Sequence, residues 1–387
     1  MGSGRELQKR TLLCFAERKL GTPRMAVHPL PTSAAEITGD WLTEVLHGSG
    51  ALPADGAVAE VECHALGEGA GMMSDLARLT PTYAGAATGA PPTLVVKLPT
   101  KNETNREVAI KYDIYAREVR YYAELDPMCA ARTPAIHLSV IDADNHFAIV
   151  MQDLSAYRIG NQITGATLEQ SEICVDELAK LHGSFWNNID SFEWLPQGAN
   201  SQHATNMQVG ARAGWDTMLE IFGEFVPGSI NAVRDPLLNA IDPLQQRLVT
   251  PPITLTHGDF RMDNLFFGQT PDHHPLVILD WQGPLRGRSM HDVAHLLCQN
   301  TQTEVRRNHE RELIERYVDG LAANGVSDYG FDDAWDDYHL AVLYLWAYVV
   351  VVSGTLEVGN DRALAWMSKM IERNAAAIEE LDCLSLL

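Results

Sequence analysis

The alternation and clustering of apolar residues divides the chain into a strand-rich first part and a helix-rich second part. Val58 to Leu66, Leu76 to Leu79, Thr93 to Leu98, Ala135 to Val140 and His146 to Met151 each read as strands bounded by turn residues. Helical spacing appears earlier, over Ser33 to Leu46, where Ile37, Trp41, Leu42, Val45 and Leu46 share a face and Gly48 and Gly50 stop it. It returns over Arg106 to Leu125, read as one helix, and over Thr167 to Trp186. Near the end, Glu304 to Asn324, Asp332 to Gly354 and Arg362 to Leu381 are helical. Tyr83 to Pro92, rich in Gly, Ala and Pro, reads as a surface loop. The pattern predicts an α+β protein: an arm over 1–32, a small antiparallel-sheet lobe with one main helix over 33–154, and a larger, mostly helical lobe over 155–387.

Two short apolar runs bracket the most polar chemistry in the second lobe. Ile253-Thr254-Leu255 leads into His257-Gly258-Asp259-Phe260-Arg261-Met262-Asp263-Asn264, and sixteen residues beyond Asn264 the run Val277-Ile278-Leu279 ends in Asp280-Trp281. Strands on either side place two carboxylates and an amide at strand ends. Phosphoryl transfer needs one carboxylate to take the proton of an attacking hydroxyl, and hard oxygen ligands to hold magnesium against phosphates. Asp259 is the candidate base, Asn264 and Asp280 the candidate metal ligands, and Arg261 lies close enough in sequence to sit beside the transferred phosphate. The competing reading is a pair of hairpins whose Asp and Asn residues only form turns.

This stretch resembles the catalytic loop of the aminoglycoside phosphotransferase and choline kinase superfamily, small-molecule kinases with a protein-kinase-like fold, whose pattern is His-Gly-Asp, four residues, then Asn. The continuation Leu279-Asp280-Trp281-Gln282-Gly283, with Gly287 and Asp292-Val293-Ala294-His295-Leu296-Leu297, is similar to its ecdysteroid-kinase-like branch. The resemblance spans roughly residues 33 to 380 and implies ATP and Mg2+ as cofactors. It also implies that Asp292 braces the catalytic loop, and His257 reads as a structural brace too rather than a base. The family's hinge to the adenine falls on Met151-Gln152-Asp153-Leu154, where Gln152 replaces a common acidic residue, so Met151 and Asp153 are candidates beside the nucleotide.

In that arrangement the glycine-rich connection Gly67-Glu68-Gly69-Ala70-Gly71 would cover phosphates with backbone amides, although three glycines also make an ordinary flexible hairpin. Lys97, in an apolar strand, would contact the phosphates and pair with a glutamate of the next helix; alternatively it is an edge residue facing water. Glu107, Glu118 and Glu124 are all possible partners, and Glu118 fits the family's Arg-Glu-X-X-aromatic pattern best. His182, in Leu178-Ala179-Lys180-Leu181-His182-Gly183, reads as a hydrogen-bonded core histidine before a catalytic one. Asp332, Asp333, Asp336 and Asp337, with Trp335, Tyr338, Tyr344, Trp346 and Tyr348, form either a site for a cationic acceptor or an acidic helix start over core aromatics.

Charge narrows the partners. The 29 Lys and Arg against 51 Asp and Glu leave −22, which disfavours nucleic acid and anionic membrane. Six scattered cysteines suggest reduced thiols and no zinc site, and the start lacks an apolar signal core, so a cytoplasmic location is expected. The longest apolar run, Leu340 to Val352, has thirteen residues, short of the ~20 that span a bilayer, and reads as a buried helix without membrane insertion. The chain reads as a kinase of a small-molecule hydroxyl. The alternatives are a nucleotide-binding scaffold without transfer and, among enzymes, an aminoglycoside or choline-type kinase.

Overall fold

The computed structural model describes residues 29–67, 73–356 and 359–387. Gly69, Gly71 and most of the 1–32 arm lie outside them. The chain forms two compact units, one built from the residues up to Met128 with Thr133–Ala156, the other from Cys129–Arg132 with Tyr157–Leu387.

The first unit is a five-stranded antiparallel sheet in the order β1-β2-β3-β5-β4, formed by β1 (Gly56–Leu66), β2 (Ser74–Gly85), β3 (Leu94–Pro99), β4 (Ile136–Ile141) and β5 (Phe147–Gln152). Helix α1 (Gly39–Gly48) starts at Thr38, whose hydroxyl accepts the Trp41 N–H at 3.2 Å, and buries Trp41, Leu42, Val45 and Leu46 in a core shared with Val58, Leu79, Val96 and Val150. β2 runs on to Gly85, so part of the expected surface loop at 83–92 is strand. Tyr83 explains the extension, because it packs against the core and donates its hydroxyl to the Pro91 carbonyl at 2.6 Å.

The single helix expected over Arg106 to Leu125 is broken. α2 (Glu103–Lys111) ends before Asp113, which takes a left-handed conformation at φ 54°, and α3 (Ile114–Arg120) follows with a π-helical turn over Tyr121–Leu125. The break resets the helical phase. Tyr115, Glu118, Val119 and Tyr122 thereby turn inward together.

The second unit is mostly helical: α4 (Leu168–Ser184), α5 (Gln202–Phe222), α6 (Gly228–Ala232), α7 (Arg234–Leu248), α8 (Met290–Ala294), α9 (Thr303–Ala323), α10 (Phe331–Thr355) and α11 (Asp361–Glu380). α4 opens with a capping box between Thr167 and Gln170. α10 is long and apolar enough to cross a membrane by length and composition, but 72% of its most apolar window is buried in this unit. It packs on α5 through Gly214 and Gly354, where a Cβ on Gly354 would lie 2.0 Å from the Gly214 carbonyl oxygen. Two small ladders complete the unit. β7 (Thr254–Thr256) pairs with β10 (Leu285–Gly287), and β6 (Arg158–Ile159), β8 (Leu265–Phe267) and β9 (Leu276–Ile278) form an antiparallel trio.

Candidate active site

The polar loop 257–264 joins β7 to β8 and leaves the strand by a turn that only glycine makes. Gly258 has φ +80°, and a Cβ there would stand 2.1 Å from the Gly283 carbonyl oxygen of the segment that returns after Asp280. The two segments are thus pressed together at the loop's start. Asp259 follows immediately.

The Asp259 carboxylate is about one-quarter exposed and held by three side chains. The Asn264 amide donates to its Oδ2 at 3.2 Å and to the Asp259 carbonyl at 3.0 Å, Arg261 Nε lies 3.1 Å from Oδ2, and the Tyr348 hydroxyl donates to Oδ1 at 3.0 Å. Burial pushes the acid's pKa up, but Arg261, His295, His257 and the Tyr348 bond outweigh it and hold Asp259 below its ordinary value. It is therefore ionised at neutral pH, as a proton acceptor must be. The Asp259 charge in turn, against the cost of burial, keeps Arg261 firmly protonated. Its guanidinium sits 5.9 Å over the Trp366 ring of α11. Burial and the neighbouring Asp259 hold the Tyr348 phenol well above its usual pKa, so it stays a donor.

A second layer fixes the backbone of this loop. Asp292, wholly buried on α8, accepts the N–H of His257 at 2.6 Å and of Gly258 at 3.0 Å. Burial would raise its pKa, yet hydrogen bonds from His182 and His291 hold it far below the carboxylate range. His182 is buried between Tyr317 and Asp292, at 2.8 and 3.3 Å. It supports Asp292 and lies away from solvent. His257 Nε2 faces the Leu279 carbonyl at 2.9 Å and so carries the proton, which leaves Nδ1 to accept the Asp259 N–H at 3.2 Å. Asn300, on a π-helical turn over His295–Asn300, accepts the Met262 N–H at 3.1 Å. Asp263 turns away from Asp259 to pair with Arg362 at 2.8 Å.

The β8/β9 ladder sets Asn264 beside Asp280. Leu265 pairs with Ile278, the Leu279 N–H donates to the Asn264 carbonyl at 3.0 Å, and Asp280 follows at φ +66°. With its N–H2 spent on Asp259, the Asn264 side chain has its amide oxygen left to accept, and the Asp280 carboxylate is close enough for its charge to reach Arg261. Two hard oxygen donors suit Mg2+, which seldom relies on a cage of protein ligands. No group of three or more His, Cys, Asp or Glu with metal-binding geometry occurs among the described residues.

The first unit holds the remaining candidates. β3 is an interior strand between β2 and β5, so Lys97 is no edge residue. Its ammonium meets both Glu118 oxygens at 2.8 Å, with the glutamate side chain 1% exposed. Glu124 pairs instead with Arg120, and Glu107 faces solvent. Gly67 closes β1 at φ +62°. Met151 is buried in the ladder opposite Val95. The Asp153 carboxylate accepts from Arg78 Nε at 2.8 Å and from the Ser155 N–H at 2.9 Å, within its own unit. These contacts pin the chain after β5 to β2.

Asn300 and Trp366 carry no sequence signal for the site, and Tyr348 appears only among the aromatics weighed for a cationic acceptor. Tyr348 alone carried a signal, as one of several aromatics on an acidic helix. Much of the rest of that patch is engaged within its own unit, while Asp332 and Asp336 face solvent. Asp337 pairs with Arg288 and Tyr329, Arg311 stacks on Phe331 and Trp335 at 4.7 and 4.5 Å, and Tyr344 and Trp346 are buried.

Among solved structures, the GDP complex of a point mutant of aminoglycoside 2'-phosphotransferase-IIIa has a TM-score of 0.54 at 13% identity, covering 83% of this chain and 93% of that one. The GDP complex of the wild-type form gives 0.50 at 14% identity with the same coverage. An ethanolamine kinase from Plasmodium vivax is 9% identical over 96% of each chain, with a TM-score of 0.49. At such identities the aminoglycoside phosphotransferase likeness is one of fold, a kinase-like sheet unit and helical unit. No curated protein matches the chain. The model of the ecdysteroid kinase-like family matches residues 68–326, well over half of the sequence and all of the loop just described. This chain belongs to the ecdysteroid kinase-like family.

Proposed function

We propose that the protein is a small-molecule kinase, dependent on ATP and Mg2+, that transfers the γ-phosphate to a hydroxyl of a metabolite or xenobiotic in the cytoplasm. The observation that carries this reading is the ionised Asp259, tied to Asn264 and Arg261, with Asp280 set beside Asn264 by the β8/β9 ladder. Asp259 orients and deprotonates the acceptor, Asn264 and Asp280 hold the metal, and Arg261 offsets charge on the moving phosphoryl group. Lys97, braced by Glu118, serves the nucleotide phosphates with Gly67 and its neighbours. Positioning and charge neutralisation carry the catalysis, with no covalent protein intermediate.

The acceptor is better described as a neutral, hydroxylated and fairly apolar molecule than as a cation. Asp337 and Asp263, carboxylates near the catalytic helices, are already paired with Arg288 and Arg362, while Asp332 and Asp336 face solvent. The test is transfer from γ-labelled ATP with magnesium to a panel holding a hydroxylated sterol, choline, ethanolamine, an aminoglycoside and a metabolite extract. The unaltered protein should label a product, preferentially the sterol-like one. Asp280→Asn and Asp259→Ala should lose at least about a hundred-fold in kcat, with Asp259→Ala still binding nucleotide. Full turnover by Asp259→Ala would remove Asp259 as base, and nucleotide binding without any transfer would favour a scaffold.

A further inference from the structure

A carboxylate offers about four lone-pair positions. At Asp259 both flanks of Oδ2 are occupied, by a hydrogen bond from Asn264 Nδ2 at 3.2 Å and by the Arg261 guanidinium as an ion pair, its Nε at 3.1 Å but without hydrogen-bond geometry, and one position on Oδ1 is taken by the Tyr348 hydroxyl at 3.0 Å. The position left open is on Oδ1, beside the phenol. Asn264 and Arg261 come from the same short loop as Asp259 and would move with it. Tyr348 comes from α10, 89 residues away, and is the donor that references the carboxylate to the helical body.

The surroundings of Tyr348 suit that task. It sits half-buried on an otherwise buried stretch of α10. Its ring is backed edge-on by His295, centroids 5.2 Å apart at 76°, and that histidine is itself 1% exposed. The preceding turns of the same helix carry aromatics with other duties: Tyr344 meets Gln245 at 3.3 Å, and Tyr338 donates to Glu310 at 3.2 Å.

We propose that Tyr348 is a positioning residue of the transfer reaction: it fixes the Asp259 carboxylate and steers the acceptor hydroxyl to the open position on Oδ1. This rests on the kinase reading above. In the step itself the acceptor oxygen bonds to the γ-phosphorus as the bond to the β,γ-bridging oxygen breaks. The hydroxyl proton passes to Oδ1, and ADP leaves with the electron pair of the broken bond. Without the phenol the carboxylate rotates about its side chain and the acceptor loses its line to the phosphorus. A small aligned nucleophile such as water suffers less.

The experiment compares the unaltered enzyme with Tyr348→Phe and Tyr344→Phe, following MgATP consumption and labelled product with the best acceptor of the panel and with water alone. Tyr348→Phe should lose about ten-fold in kcat for the acceptor, the worth of one hydrogen bond to a charged group. KM for MgATP should stay put, and hydrolysis should rise relative to transfer. Tyr344→Phe should leave that ratio unchanged. A kcat for Tyr348→Phe within two-fold of the unaltered enzyme overturns the proposal, as does a loss in which hydrolysis and transfer fall equally. Should Tyr348→Phe fail to fold, 3-fluorotyrosine placed at 348 keeps the hydroxyl, and its fluorine resonance must move when Asp259→Asn is added. An unmoved resonance overturns the contact. Absence of transfer to every acceptor and to water by the unaltered protein sinks the kinase reading, and this proposal with it; the other negative results sink this proposal alone.

Discussion

Lys97 and Glu118 show how much one pair of residues can carry. Both side chains are almost fully buried and joined at 2.8 Å, so each cancels a charge that would otherwise be stranded in the first unit. Lys97→Ala should destabilise that unit by about 3 kcal/mol, because it leaves Glu118 uncompensated. Lys97→Met combined with Glu118→Leu should cost clearly less than the two single changes added together. Urea unfolding of the four proteins, read as a double-mutant cycle, checks this; strict additivity would mean the pair is not coupled. The sequence offers the lysine, a lone charge in an apolar strand, and the family resemblance favours Glu118 as its partner, as the structure has it. Periodicity alone admits Glu107, Glu118 and Glu124 together, because it carries no mark of the left-handed Asp113 that turns Glu118 inward. Tyr348 is obscured for a related reason. Six aromatics crowd its helix, and which of them meets Asp259 depends on where α10 docks, a tertiary fact.

Among elements, the π-helical turn His295–Asn300 does most for the site while being hardest to read in advance. Six residues of ordinary helical composition widen by one backbone step. This brings Asn300 under the Met262 N–H and buries His295 with neither ring nitrogen hydrogen-bonded. Burial in particular pulls the His295 pKa down from 6.5 to about 4. Between those values the unfolded chain binds a proton that the folded chain refuses. The ring therefore costs nothing above about pH 6.5, and progressively more as the pH falls, on the order of 3 kcal/mol near pH 4. His295→Leu should leave stability at pH 8 unchanged or slightly higher, since it removes a buried unsatisfied group. It should also flatten the loss between about pH 6.5 and 4; chemical unfolding across that range decides, and parallel curves for the two proteins would count against it. By contrast the polar loop 257–264 and the β8/β9 ladder are legible in the sequence. Their chemistry is consecutive in sequence and their strands are short apolar runs, so local pattern and local structure coincide.

At the scale of the molecule the net charge of −22 opposes an anionic nucleotide before any contact forms. Lys97 and Arg261, the cations proposed for the phosphates, are each already matched to a carboxylate, so they offer little long-range attraction. Raising ionic strength from about 10 to 150 mM shortens the Debye length from roughly 30 to 8 Å and should speed MgATP association. Stopped-flow binding reads this directly, and a rate that falls with salt would point to a local positive field that overrides the whole. The same acidity was visible in composition. The division into two units was visible too, as the change from alternating strands to long helical periods, since each unit closes its core mostly with residues adjacent in sequence.

The ladder that aligns Asn264 with Asp280 has a further consequence for how this chain can vary. Both proposed ligands stand at one end of β8 and β9, and the eight-residue connection 268–275, largely exposed, lies at the other. Length added to that connection leaves the pairing of Leu265 with Ile278 intact, and so leaves the ligands where they are. A single residue lost inside either three-residue strand shifts the register by one and turns one ligand to the opposite face. The protein can thus lengthen freely at 268–275, while the six residues of β8 and β9 must keep their count.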